Sequence, residues 1–254
     1  MDKFKIIGPS KIRGEVSISG SKNAALPILA ATLLFDKNVT IKNLPRVKDI
    51  DTMLNLLKSL GRKISFKNNK KIATISKGNK NNFFAPYSLV KTMRAGILVL
   101  GPLLAKNKKA KVSSPGGCSI GVRPIDIHLK AISKLGVKIQ IEKGYVNAKA
   151  QKGLVGSEIR FSKISVGATE NSILAACLAK GTTTIKNCAI EPEIKDLTNF
   201  LKTAGAKIKW IGKRTLKIEG VKTLKSITYS IMNDRIEAGT FCVAACLNLS
   251  LIHI

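Results

Sequence analysis

The chain has 254 residues, of which 44% are hydrophobic, and its 44 Lys and Arg against 15 Asp and Glu give a formal net charge of +29. This length and composition predict a globular protein of one large or two ordinary domains with a buried core. The sequence starts without a long apolar signal segment and contains no apolar run of membrane-spanning length, so we expect a cytoplasmic protein with no membrane partner.

The excess of basic residues makes nucleic-acid binding one function class to consider, because neutralising phosphates dominates that affinity. The lysines are spread along nearly the whole chain, however, and aromatic residues make up only 5% of it. Proteins that bind nucleic acids tend to combine a local basic stripe with exposed aromatic rings. We therefore expect no nucleic-acid partner and a basic field that attracts small anionic ligands. A nucleic-acid-binding protein stays the alternative from a different class.

The predicted elements repeat along the chain with a period of about seventy residues. Each repeat contains a helix rich in small apolar residues, expected at 23–34, 90–104 and 168–178. A short polar turn and a β-branched strand follow this helix, as at 39–41 and 182–185, and such strands are typical of a small sheet. The apolar helices are predicted to be buried.

A second, amphipathic helix follows in each repeat, with acidic residues near its start that suit the positive end of the helix dipole. These helices are expected at 50–60, 125–135 and 194–204. Each ends at a glycine suited to the left-handed conformation, followed by another strand; the three glycines are Gly61, Gly136 and Gly205.

One such unit, with two helices and about four strands, cannot cover its own apolar helix faces. Three units packed with helices inside and small sheets outside predict an α/β (α+β) fold, with one complete domain over residues 22–229. A fourth unit begins at 233–240, but its helix, expected at 236–247, would have no second helix to pack against. We therefore expect residues 230–254 to be an incomplete part of a second domain and the reading frame to end early.

The stretch 114–124 (SPGGCSIGVRP) reads as an active-site loop around Cys118. Its glycines let the backbone approach a ligand closely, while Arg123 and the open loop amides favour the thiolate form of the cysteine. The alternative is a tight turn that holds an inert, half-buried cysteine.

The cysteines show no sign of a disulfide framework or a metal site. There are five of them, none in a Cys-x-x-Cys pair, which suits reduced thiols. His128 and His253 are the only histidines of the sequence, too few and too scattered to build a zinc site with these cysteines. We expect no metal.

Several short motifs accompany the repeats and the Cys118 loop in order along the chain. They are 21–27 (SKNAALP), 85–87 (APY), 91–95 (KTMRA), 166–169 (VGAT), 191–194 (EPEI) and 234–240 (DRIEAGT). On these motifs the chain, from Met1 to about Leu247, closely resembles the bacterial UDP-N-acetylglucosamine 1-carboxyvinyltransferases, the MurA enzymes. The resemblance implies an enolpyruvyl transferase-like, inside-out α/β barrel of repeated units in each of two domains. Only the first would be complete here, and residues 1–21 would belong with the second.

The resemblance also implies a reaction, the transfer of the enolpyruvyl group of phosphoenolpyruvate to the 3′-hydroxyl of UDP-N-acetylglucosamine with release of phosphate. This is the first committed step of peptidoglycan synthesis, with consequences for cell wall biogenesis, cell shape and cell division. The two substrates would be the partners, and no metal or organic cofactor is needed. The hydroxyl loses a proton as it adds to C2 while C3 gains one, so the site requires an acid, a base and several cations.

Site residues follow from the resemblance position by position. Cys118 matches the family's proton donor to C3, which is also the target of fosfomycin, so fosfomycin sensitivity is implied. Lys22 and Asn23 match the residues that hold phosphoenolpyruvate, and Arg94 and Arg123 match substrate-binding arginines near the reacting centre.

A UDP-sugar segment is implied at Pro124, Ile125, Asp126, Ile127 and His128. A second stretch is implied at Lys163, Ile164, Ser165, Val166 and Gly167, since backbone amides at helix starts can bind pyrophosphate. The alternative for His128 is a partly buried core histidine, and for Asp126 a simple helix cap.

The family's catalytic aspartate and several of its arginines match no residue of this chain, so we expect impaired turnover. Two other functions stay open. One is the shikimate-pathway enolpyruvyl transferase of the same superfamily, against which the Cys118 loop and the UDP-sugar segment speak. The other is a non-catalytic remnant that still binds a nucleotide sugar.

Overall fold

Three four-stranded sheets surround a group of helices in the computed structural model, which describes residues 3, 5, 7, 8, 13–79, 82–114 and 125–248. Two 3-10 helices within these ranges, Thr32–Leu34 and Arg94–Val99, adjoin α-helices. The α-helices are α1 (Lys22–Ala31), α2 (Lys48–Ser59), α3 (Tyr87–Val90), α4 (Leu100–Asn107), α5 (Asp126–Ser133), α6 (Val166–Ala176), α7 (Pro192–Thr203) and α8 (Arg235–Asn248).

The strands are short and alternate between buried and exposed side chains, as expected when a sheet covers a core with one face. They are β1 (Val39–Lys42), β2 (Arg62–Lys67), β3 (Ile72–Lys77), β4 (Phe84–Ala85), β5 (Lys109–Ser113), β6 (Lys138–Glu142), β7 (Tyr145–Lys149), β8 (Glu158–Arg160), β9 (Thr182–Lys186), β10 (Lys207–Gly212), β11 (Thr215–Glu219) and β12 (Ile227–Ser230).

All three sheets share one topology, which confirms the predicted repeat. The second is ordered β4-β5-β7-β6 and the third β8-β9-β11-β10, with the first two strands parallel and the others antiparallel. The first sheet is ordered β12-β1-β3-β2, and its parallel pair sets Val39 opposite Ile227. The strand that completes the first sheet therefore comes after the third unit in sequence, and this pairing closes the ring of units.

The glycines predicted to end the amphipathic helices do so. Gly61, Gly136 and Gly205 have φ values of +93°, +84° and +96°, which L side chains rarely adopt. Each lets the chain turn directly into the next strand, so the order of helix, glycine and strand is confirmed in all three units.

The apolar helices lie at the centre of the molecule, as predicted. Residues 24–31 of α1 and 168–176 of α6 are all buried. The buried part of α1 is apolar on every side, whereas α6 also buries the polar residues 169–172. The outer helices α2 and α7 bury only one stripe. The rings of Phe35, Phe200 and Tyr229 join the first unit, the third unit and the closing strand, with ring centroids 5.6 and 5.4 Å apart.

The inner helix of the second unit differs from the prediction. Instead of one helix over 90–104, the chain forms α3, the 3-10 helix and α4, which begins at Leu100. Pro102 has no backbone N–H, and in a continuous α-helix its ring would clash with the carbonyl of Leu98. Proline is tolerated in a first turn, so the α-helix starts just before it.

The last described helix, α8, has no buried residue. Its apolar side chains include Phe241, Val243 and Leu247, which are 43%, 60% and 81% exposed. None of the helices in the described ranges combines the length and the apolar character that a bilayer crossing requires.

Candidate ligand-binding site

A cavity of about 440 Å³ lies where several helices begin. Its walls come from the first turns of α1, α5, α6 and the 3-10 helix Arg94–Val99, together with residues at the starts of α7 and α8. Helix starts carry unpaired backbone N–H groups and the positive end of the helix dipole. Their convergence favours a negatively charged ligand.

Serine caps begin two of these helices in the same way. The Oγ of Ser21 accepts a hydrogen bond from the N–H of Ala24 in α1, and the Oγ of Ser165 accepts one from the N–H of Ala168 in α6, both at 3.3 Å. A serine cap satisfies one orphan N–H group and leaves the neighbouring ones in the first turn available. The repeat thus builds the same donor geometry twice.

Six residues predicted from the resemblance line the cavity. They come from four separate parts of the chain and are Asn23, Arg94, His128, Ser165, Val166 and Gly167. Pro27 of α1 also lines it and, lacking an N–H group, cannot donate the usual helical bond to the carbonyl of Asn23.

Other predicted residues lie near the helix starts but outside the cavity lining. Lys22 forms a 3.0 Å ion pair with Asp49, and Asp126 lies 4.0 Å from Lys130 on its own helix. Ile127 is only 8% exposed and belongs to the core, and Ile125 is the N-cap residue of α5. Lys163 and Ile164 are exposed just before the cap of α6.

The predicted residues Cys118, Arg123 and Pro124 lie outside the described residues. Two other cysteines provide a contrast for the predicted reactive thiol. Burial raises the pKa of Cys177 to about 12 and that of Cys188 to about 11, so both stay protonated and unreactive at neutral pH.

His128 is a buried cavity residue, with 2% of its surface exposed. Burial, with a further contribution from the Arg94 charge, lowers its pKa to about 4, against the opposing effect of Asp126. The imidazole is therefore neutral at physiological pH. A Cβ atom at Gly167 would lie 3.0 Å from its Cε1 and 3.2 Å from its Nε2, so a larger residue there would push the ring away from α6 by a few tenths of an ångström.

Four charged cavity residues were not predicted as site residues: Glu170, Glu191, Glu193 and Arg235. Arg235 Nε donates to Glu193 at 2.9 Å and its second nitrogen lies 3.4 Å from the other carboxylate oxygen. Glu170 is 5% exposed; burial, followed by the charges of Glu193 and Glu191, raises its pKa to about 8. The available signal was a glutamate inside a helix of otherwise uncharged residues.

The arrangement combines donors for an anion with a carboxyl group that is protonated at neutral pH. Arg94 and the helix-start amides can bind phosphate or carboxylate oxygens, and a protonated Glu170 can donate a hydrogen bond where an ionised one would repel the ligand. Within the described ranges, no group of three His, Cys, Asp or Glu could hold a metal ion.

Repeated helix-and-sheet units around inner helices define an enolpyruvyl transferase fold. The chain superposes on the enolpyruvyl transferase NikO from Streptomyces tendae with a TM-score of 0.82 at 22% identity, covering 94% of this chain and 56% of that one. The predicted fold class is confirmed.

A sequence model of the family described as EPSP synthase (3-phosphoshikimate 1-carboxyvinyltransferase) matches residues 6–254, and the chain belongs to this family. It is 64% identical over 247 residues to the UDP-N-acetylglucosamine 1-carboxyvinyltransferase of Pelagibacter ubique (strain HTCC1062), covering 97% of this chain and 59% of the relative. The protein of the same name from Psychrobacter sp. (strain PRwf-1) is 51% identical over 247 residues, at 96% and 57% coverage. The resemblance is confirmed, and the chain spans less than two thirds of these relatives.

Proposed function

We propose that the chain binds UDP-N-acetylglucosamine and phosphoenolpyruvate and serves the transfer of the enolpyruvyl group to the 3′-hydroxyl of the sugar, with release of phosphate. The observation that carries this proposal is the 64% identity to a relative of that name over 97% of the chain. In the cell the reaction would start peptidoglycan synthesis in the cytoplasm, and its loss would affect cell shape and division.

The cavity supports the binding half of this proposal. Its donors come from the starts of α5 and α6, from Asn23 at the start of α1 and from Arg94, which together suit the diphosphate of a nucleotide sugar. Lys22 lies at the same end of α1 and would neutralise a phosphate of phosphoenolpyruvate as a point charge. Its pairing with Asp49 holds that charge at the helix start until the ligand arrives.

We assign the proton transfer to C3 to Cys118, on the family match alone. The remaining predicted residues from 123 to 128 and from 163 to 167 would bind the nucleotide sugar. No residue of the chain is assigned as the base, so binding is the first property to test and turnover is expected to be low.

The first experiment is calorimetric titration of the 254-residue chain with UDP-N-acetylglucosamine, with shikimate 3-phosphate in a parallel titration. The proposal expects saturable binding of the nucleotide sugar alone. Binding of shikimate 3-phosphate instead would establish the second candidate, which the name of the family model favours. A folded chain that binds neither contradicts both candidates.

The role of Cys118 is tested by inactivation with fosfomycin, followed by mass spectrometry of the labelled peptide. Cys242 and Cys246 are exposed on α8, so both should be replaced by serine in the background protein. The proposal expects one adduct at Cys118 and none in Cys118→Ser. An unmodified Cys118 under these conditions would contradict its assignment.

We also propose the domain division 22–229, with 1–21 and 230–254 belonging to a second domain. The two segments at which the chain would pass from one domain to the other are hydrogen-bonded to each other. The N–H of Ser21 donates to the carbonyl of Met232 at 2.8 Å, and the N–H of Asp234 donates to the carbonyl of Ser19 at 2.8 Å. Limited proteolysis that cuts first within 13–20 and 231–248 would support this division.

A further inference from the structure

Asn171 is a buried amide that joins three helical segments behind the cavity. Its side chain lies on α6 and is fully buried. Oδ1 accepts a hydrogen bond from the N–H of Gly101 at 2.8 Å, and Nδ2 donates to the carbonyl of Ile97 at 3.0 Å. A backbone N–H can only donate and a carbonyl can only accept, so these two bonds determine which end of the amide is which.

The third contact of this amide is with the histidine of the cavity. Nδ2 of Asn171 lies 3.4 Å from Nδ1 of His128. Since an amide nitrogen is only a donor, Nδ1 of the ring must be the acceptor, and a neutral ring then carries its proton on Nε2. The bond is long and weak, but a proton on Nδ1 would set two N–H groups against each other.

The other edge of the ring lies at the cavity. Nε2 is 3.2 Å from the position that a Cβ of Gly167 would occupy, and His128 and Gly167 both line the cavity. The nearby charges are Arg94 on the 3-10 helix and Asp126 at the start of the ring's own helix, and Glu170 of α6 lines the same cavity. Positive charge at the site is therefore supplied by arginine, and the imidazole contributes an uncharged N–H.

We propose that Asn171 is a positioning residue that holds His128 as the neutral Nε2–H tautomer, which donates a hydrogen bond to an oxygen of a nucleoside diphosphate sugar in the cavity. The proposal rests on the proposed function and specifies one donor of that site. A Cβ at Gly101 would lie 2.6 Å from both the carbonyl oxygen and Oδ1 of Asn171, so glycine allows α4 to pack this closely on α6.

The tautomer can be measured without any ligand. The sequence contains only two histidines, so His253→Gln assigns both in an ¹⁵N-histidine sample. Long-range ¹H–¹⁵N correlation is expected to find the His128 proton on Nε2 between pH 6 and 8, with titration at about 4. A proton on Nδ1, or titration near the ordinary histidine value of about 6.5, would overturn the proposal.

Asn171→Asp tests the positioning role, with the same change at exposed Asn199 of α7 as the control. The aspartate keeps an acceptor for the N–H of Gly101 but removes the donor to the carbonyl of Ile97. It sets a carboxylate oxygen towards Nδ1, so the ring proton is expected to move to Nδ1. Affinity for UDP-N-acetylglucosamine is then expected to fall about tenfold, the worth of one hydrogen bond. Asn199→Asp should change neither the position of the ring proton nor this affinity.

The outcomes separate the two proposals. If Asn171→Asp stays folded and keeps the Nε2–H tautomer, Asn171 is merely structural and the inference fails. If the variant does not fold, the tautomer measured in the unaltered chain decides whether the inference holds. If the unaltered chain shows the expected tautomer but does not bind UDP-N-acetylglucosamine, the proposed function fails and the ligand half of this inference fails with it.

Discussion

The two ends of the inner helices differ in how their polar groups are used. At the carboxyl ends the polar groups line a smaller cavity of about 210 Å³ and bind one another. Arg62 donates to the carbonyls of Leu33 and Phe35, and Asp36 forms ion pairs with Lys106 and Lys77 at 2.7 and 3.1 Å. At the amino ends, Glu170 is buried next to other carboxylates, and Arg94 and the helix-start amides face an open cavity of about 440 Å³.

The polar groups at the two ends therefore have different roles, one set in stabilising the fold and the other in binding a ligand. Groups that satisfy one another within the chain stabilise the fold and leave little for a ligand. Groups of like charge that lie together around a cavity lower the stability of the fold, and such unfavourable arrangements are typical of functional sites. The following changes test this comparison, beginning with the largest expected effect.

Arg62→Met should destabilise the fold by about 2–4 kcal/mol, because two carbonyls near the inner helix end lose their charged donor. Chemical denaturation measures this, with Lys63→Met, an exposed neighbour on β2, as the control. Affinity for UDP-N-acetylglucosamine should be unchanged in the folded fraction. A loss of affinity would mean that the two ends are not independent.

Arg94→Gln should do the reverse and weaken binding of UDP-N-acetylglucosamine by about tenfold to a hundredfold, the worth of a charged hydrogen bond. The control is Arg46→Gln, which removes the same charge from an exposed position. Equal affinity in the two variants would show that Arg94 contributes only to the general basic field.

Glu170→Gln should flatten the dependence of stability on pH. As the pKa of Glu170 is raised from 4.5 to about 8, the unfolded chain loses this proton first, and stability falls by about 1 kcal/mol per pH unit across that window. The variant should lose this slope and be more stable at pH 8.

This effect is best measured above pH 6.5, where His128 is neutral in both states. Below that, its lowered pKa gives the opposite slope, with stability lost as the pH falls towards 4. Glu142→Gln, at an exposed position of β6, is the control. A slope unchanged by Glu170→Gln would mean that the carboxyl group is ionised in the folded chain.

Asp49→Asn should have the smallest effect on stability, less than about 1 kcal/mol, because its pair with Lys22 is partly exposed. Asp51→Asn removes another charge from the same helix turn and is the matched control. Phosphoenolpyruvate binding, measured by calorimetry, should weaken in Asp49→Asn alone, because Lys22 is then no longer held at the helix start. A similar response to both variants would mean that binding depends on the net charge of the protein and not on the Lys22–Asp49 pair.

Much of the fold could be predicted because its signals are local. The glycines after α2, α5 and α7 act on the turn in which they stand. The break in the second inner helix was missed, although Pro102 was its signal, because small apolar residues on both sides favoured one long helix.

The site was predicted unevenly for the same reason. Asn23, Arg94 and His128 were found through the resemblance. Glu170 was passed over as part of a buried helix, and Arg235 was seen only as part of a motif. The role of a charged residue inside a buried helix depends on the segments that pack against it, and the neighbouring residues in the sequence do not specify those segments.

The sequence by itself determined the repeat unit, the nature of its two helices and the glycines that end the amphipathic ones, because these depend on contacts within a few residues. Only the tertiary structure decided that β12 completes the first sheet, with residues 39 and 227 paired. It also decided that separate helix starts share one cavity and that Asn171 sets the proton of His128. Such pairings depend on how distant segments pack, which no local pattern specifies.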